Sequence, residues 1–153
     1  MIRSVRIGVA IAVILSGCGE DGATAQAAVR AGDLTVTDVW MRPTPDAPET
    51  AAIYMTIDNA GADPDRLVAA NAAPCPTTGF HETVEQDGVA RMRPIAGGIA
   101  VAPGSTVILG PSGIHVMCFD VTGELAAGDS VPVELTFQFA GPMTVEAAIR
   151  SDP

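Results

Sequence analysis

Gly79 to Met92 reads GFHETVEQDGVARM, and this stretch decides the fold. Asp87-Gly88 is a two-residue turn in which both residue types tolerate positive φ, as a type I′ hairpin requires. That turn makes antiparallel strands of Gly79 to Val84 and Val89 to Met92, with Gln86 opposite Val89, Val84 opposite Arg91 and Thr83 opposite Met92. Successive strand residues point to opposite faces. His81 lies two residues before Thr83, so it shares a face with Met92, a diagonal neighbour at about 7–8 Å. A three-residue loop or a bulge would reverse that parity.

Outward from the hairpin, the chain continues as short runs of strand-forming residues. They are Leu34 to Met41, Thr50 to Asp58, Arg66 to Ala70, Ile99 to Ala102, Thr106 to Leu109, Ile114 to Val121, Val131 to Phe139 and Met143 to Ile149. In the second, Ile53, Met55 and Ile57 alternate with Tyr54 and Thr56. Turn clusters divide the runs: Arg42-Pro43-Thr44-Pro45, Ala102-Pro103-Gly104, Gly110-Pro111-Ser112-Gly113 and Gly141-Pro142. No window after the first residues keeps a 3.6-residue apolar period. Around nine short strands so spaced predict an all-β chain folded as an antiparallel β-sandwich.

The 153 residues suit one domain, and 48% hydrophobic against 17% charged residues is the composition of a folded one. Scarce aromatics leave the core to Val, Ile, Leu and Ala. The formal charge is −10, and removal of Arg3 and Arg6 takes it to −12. Lysine is absent. Such a chain repels phosphate backbones, which excludes nucleic acid as a partner.

Residues 1–17 read as an export signal. Arg3 and Arg6 precede an apolar run, Ile7 to Leu15, too short for a permanent membrane span. Leu15-Ser16-Gly17-Cys18 resembles a bacterial lipobox, with Cys18 the lipidated first residue of the mature chain. Cleavage after Ala25-Gln26-Ala27 is the rival reading. Gly19, not Asp, follows Cys18, which does not favour inner-membrane retention in a diderm cell. Residues 18–32, small and polar, are expected to form a flexible tether, and 33–150 the folded domain. The expected location is the periplasm, held at a membrane by the lipid.

With Cys18 committed to lipid, Cys75 and Cys118 remain, an even pair in an oxidising compartment. A structural disulfide is the favoured reading. The alternative is that one thiol joins a metal site or is redox-cycled.

The chain has two histidines, His81 and His115, and two of its six methionines fall in a pattern with them. Ten residues separate His81 from Met92, twenty-two separate Met92 from His115, and one separates His115 from Met117. His115 and Met117 share a strand face, as His81 and Met92 do across the hairpin. Thioethers are soft, neutral donors that favour copper(I) over zinc, calcium or magnesium, and imidazole suits copper in either oxidation state. Blue copper would need a Cys ligand, and Cys118 points to the face opposite Met117. The competing reading is plain: strand methionines are usually core filler, as Met41, Met55 and Met143 are expected to be.

The stretch from about Val36 to Ile149 resembles the PCuAC family of periplasmic copper(I) chaperones. The residues that carry the resemblance include Val39-Trp40-Met41-Arg42-Pro43, His81-Glu82-Thr83-Val84, Met92-Arg93-Pro94 and Gly113-Ile114-His115-Val116-Met117. The resemblance implies a cupredoxin-like β-sandwich with an exposed copper(I) site at His81, Met92, His115 and Met117. It also implies a metallochaperone supplying copper to the CuA centre of cytochrome c oxidase, with subunit II of that enzyme or a Sco-type protein as partner. The Cys75/Cys118 pair and the lipid anchor depart from the family pattern. No nucleophile–base pair, carboxylate pair or phosphate-cradling loop stands out, so a carrier is expected, not an enzyme. Copper storage or tolerance, and a metal-free structural β-sandwich lipoprotein, are the other readings.

Overall fold

A computed structural model describes residues 27–151, and every regular element in that range is a strand. In chain order they are β1 (Val29–Ala31), β2 (Leu34–Thr44), β3 (Ala47–Asn59), β4 (Asp65–Ala72), β5 (Thr77–Gln86), β6 (Val89–Pro94), β7 (Ile99–Val101), β8 (Thr106–Leu109), β9 (Ile114–Phe119), β10 (Ser130–Phe137) and β11 (Gly141–Ile149). Neighbours pair in the order β6-β5-β9-β3-β2-β11-β10-β4-β7, with β1 on β2 and β8 on β3. Inward residues from both ends of this order, among them Met41, Ile53, Val116, Leu67, Leu135 and Phe137, form one core. This is the sandwich that the strand pattern predicts. Burying each large apolar side chain in it contributes about 1.5–3 kcal/mol.

The β5–β6 hairpin has the predicted register: Gln86 faces Val89, Val84 faces Arg91 and Thr83 faces Met92. Asp87 and Gly88 have φ of 55° and 75°, the signs a type I′ turn demands.

Two expectations need correction. The sheet is mixed, because β11 runs parallel to β2, with Ala148 beside Trp40 and Ile149 beside Met41. Hairpin strands are antiparallel because a tight turn joins them. No turn joins β2 to β11, so local sequence does not set their direction. The tether expected over 18–32 also ends early. Val29–Ala31 pairs with β2 through Val29↔Val36 and Ala31↔Leu34. Gly32, at φ 58°, and Asp33 make the two-residue turn between them. The signal segment 1–17, Cys18 and the tether up to residue 26 lie outside the described residues.

A bulge in β2 decides which of its side chains face outward. Thr37 pairs with Thr56, but the next pair is Trp40 with Tyr54, so β2 carries an extra residue at Asp38, whose φ is 47°. The extra residue reverses the strand's parity. Leu34 and Val36 face the core before it, and Val39 and Met41 after it. Trp40 and Arg42 are thereby turned to the outer face of the sheet.

Candidate metal centre

Four adjacent strands build one row of rings across that outer face. His81 on β5 stands directly opposite His115 on β9. Ala52 opposite Met117 sets β9 against β3, and Tyr54 of β3 pairs with Trp40 of β2. Ring centroids are 6.2 Å apart for His81–His115, 6.2 Å for Tyr54–His115 and 4.4 Å for Trp40–Tyr54. Trp40, Ala52 and Tyr54 form a small apolar cluster of their own on this face.

Both imidazoles are held in one way. His115 Nδ1 lies 3.0 Å from the Gly113 carbonyl and His81 Nδ1 lies 3.3 Å from the Gly79 carbonyl. A carbonyl only accepts, so Nδ1–H is the donor in each, and Nε2 is the nitrogen left to face a metal. Hydrogen bonds of this kind orient metal-binding histidines. Burial pushes the His115 pKa below the usual histidine range. The Gly113 carbonyl opposes that shift, and the neighbouring His81 adds to it. The His115 ring is therefore a neutral donor near pH 7.

Met117 follows His115 on the same face, beside Ala52 and opposite Gly79. Gly79 leaves its space to the His81 ring, whose Cε1 a Cβ there would meet at 3.3 Å. Met92 reaches the same face from β6 and is 60% exposed. A cleft of about 250 Å³ has Met92, His115 and Met117 on its walls, together with Thr83, Tyr54 and Arg42. His81 is not on that wall. It stands beside His115, with Phe119 edge-on at 5.7 Å. Three of the four predicted ligands thus share a cleft, and the fourth abuts it through His115.

Arg42 donates to the Tyr54 hydroxyl at 3.3 Å, and its guanidinium lies 5.7 Å from the Tyr54 ring centroid. Burial pushes the Tyr54 pKa up, and the charge and hydrogen bond of Arg42 pull it back. Arg42, Tyr54 and Phe119 were not among the predicted site residues. The alternation of Ile53, Met55 and Ile57 does place Tyr54 on the outer face. The bulge at Asp38, which hides the phase of Arg42, has no turn signature in the sequence.

Behind the site, Cys75 is bonded to Cys118, with Cα atoms 5.4 Å apart. Cys118 faces the core and Met117 the cleft, so neither cysteine joins the donor set. Among the described residues, no group of three His, Cys, Asp or Glu could hold a metal ion. The donors gathered here are imidazole nitrogen and thioether sulfur, all neutral, and that set fits a soft monovalent cation.

Comparison with known proteins bears on the family and the fold. A family model described as "Putative lipoprotein LpqE-like" matches residues 34–149. "Putative lipoprotein Lxx21020" of Leifsonia xyli subsp. xyli is 27% identical over 143 residues, spanning 92% of this chain and 85% of that protein. Among solved structures, the copper-bound PCuAC domain from PmoF2 is 25% identical with a TM-score of 0.69, covering 82% of this chain and 99% of that one. CuI-DR1885 from Deinococcus radiodurans, 22% identical with a TM-score of 0.64, shares the fold over 86% of this chain and 84% of its own. The PCuAC resemblance read from the motifs, with its cupredoxin-like sandwich, is borne out.

Proposed function

This chain belongs to the LpqE-like family, and from that premise we propose that it is a copper(I) carrier of the cell envelope. One observation carries the reading. Met92, His115 and Met117 line a single cleft that has no carboxylate on its wall among the described residues, and His81 stands against His115. The copper-bound PCuAC domain from PmoF2, which is similar in fold and sequence, supports it.

In this reading one copper(I) is held by His115, Met117 and Met92, with the His81 imidazole completing or relaying the set. Neutral ligands at an open cleft let the ion pass to a partner's thiolates or imidazoles with little charge rearrangement. The role is carriage, not catalysis. The lipoprotein names of the relatives support anchorage through Cys18, with the β-sandwich from Val29 onward as the copper-binding domain. The acceptor in this reading is the CuA centre of cytochrome c oxidase, reached directly through subunit II or through a Sco-type protein.

Competitive titration against a copper(I) chelator tests binding. Unchanged affinity in a Met92→Ala, Met117→Ala double variant would refute the site. Deletion of the protein followed by an assay of CuA loading tests delivery. Normal loading at limiting copper would point to storage instead.

A further inference from the structure

Among the described residues, Arg42 is the only charged side chain on the wall of the metal cleft. In a chain with 18 acidic and 8 basic residues, that is the opposite of what a cation site would draw from its surroundings. Arg42 also lacks a carboxylate partner among the described residues, since the ion pairs there are Arg93–Glu82 and Arg150–Asp38. What it has is a platform. The Tyr54 hydroxyl accepts its hydrogen bond, the Tyr54 ring lies beneath it, and Trp40 packs on Tyr54 at 4.4 Å. The Asp38 bulge is what places Arg42 on this face. A guanidinium stays charged at every pH the protein meets.

We propose that Arg42 sets the charge class of the cargo: its fixed positive charge lets the cleft accept singly charged soft cations and turns away divalent ones. The inference rests on the copper reading and adds the basis of selectivity. Coulomb repulsion scales with the charge of the incoming ion, so a divalent cation meets twice the opposing energy of copper(I). The neutral imidazole and thioether donors do nothing to offset it. The same charge loosens copper(I) moderately, which suits an ion held for transfer.

The test compares wild type, Arg42→Gln and Arg42→Lys in competition titrations with copper(I), with silver(I) as a redox-silent monovalent probe, and with zinc(II) as a redox-silent divalent one. Arg42→Gln is expected to tighten copper(I) and silver(I) roughly fivefold and zinc(II) by the square of that factor, roughly twenty-fivefold. Arg42→Lys is expected to keep the wild-type ratio of zinc(II) to silver(I) affinity. An unchanged ratio in Arg42→Gln, with copper(I) still bound by wild type, overturns the role of Arg42 and leaves the carrier reading standing. A loss of affinity for every cation in Arg42→Gln marks a structural residue and also overturns it. Failure of the wild type to bind copper(I) refutes both readings together.

Discussion

His81 and His115 face each other across β5 and β9 with their ring planes 24° apart, yet only His115 lines the cleft. The two histidines are therefore not equivalent. His115→Ala is expected to weaken copper(I) binding by roughly a hundredfold or more, since even changes behind a ligand cost about 10–100-fold. His81→Ala is expected to cost less. Chelator competition reads both, and equal losses would place both imidazoles on the ion.

Met92 owes its place to the length of one turn. A single glycine inserted after Gly88 shifts the β6 register by one residue and sends the Met92 side chain to the other face. The expected loss of copper(I) affinity matches that of Met92→Ala. A two-residue insertion is expected to restore parity and with it most of the binding.

Buried His115 ties stability to pH. Its folded pKa lies below the ordinary value near 6.5, so between those two values the unfolded chain binds more protons than the folded one. The stabilisation from a neutral His115 is complete above about pH 6.5 and is lost as pH falls toward the folded pKa, by at most about 1.4 kcal/mol per pH unit. The metal-free protein is expected to show a falling Tm from pH 7.5 to 5.5. His115→Gln is expected to flatten that slope, and an identical slope would show that other groups set it.

Asp65 ties the start of β4 to the turn between β10 and β11. Its carboxylate accepts from the backbone N–H groups of Arg66, Phe139 and Ala140 at 2.7, 3.0 and 2.9 Å. Burial alone would raise its pKa, but these bonds hold it below the usual carboxylate value. That contribution is present above about pH 4 and is lost as pH falls through the depressed value. Asp65→Asn is expected to destabilise the protein by about 1–2 kcal/mol, read as a Tm lower by several degrees. Asp65 is not on the metal cleft, so copper(I) affinity is expected to be unchanged.

How much of the molecule was legible in the sequence depends on the range of the forces that fix each feature. Asp87-Gly88 sets its hairpin locally, so the pairing of Thr83 with Met92 could be read in advance. The shared face of His115 and Met117 needs only the two-residue period of a strand. The pairing of His81 with His115 could not be read, because β5 and β9 meet through the closure of the whole sandwich and not through a turn. The parallel β2–β11 pair is hidden for the same reason. Arg42 was masked by the bulge at Asp38, where a residue with a side chain adopts a positive φ that no glycine announces. The start of the sheet at Val29 was masked by length, since the three residues Val29–Ala31 are too short a run within a Gly/Ala-rich segment to register as a strand.

The disulfide at Cys118 reaches beyond its own bond. A strand that slips by one residue swaps its two faces, and β9 slipping would turn the cleft-facing donors into the core and the core residues toward the cleft. Cys118 is covalently fixed on the inward side, one residue after Met117 and three after His115. The bond works as a register lock: a crosslink wholly inside the apolar interior dictates which way an imidazole and a thioether look on the outside. A chain that closes this bond has committed its donors to the cleft side of the sheet before any metal arrives.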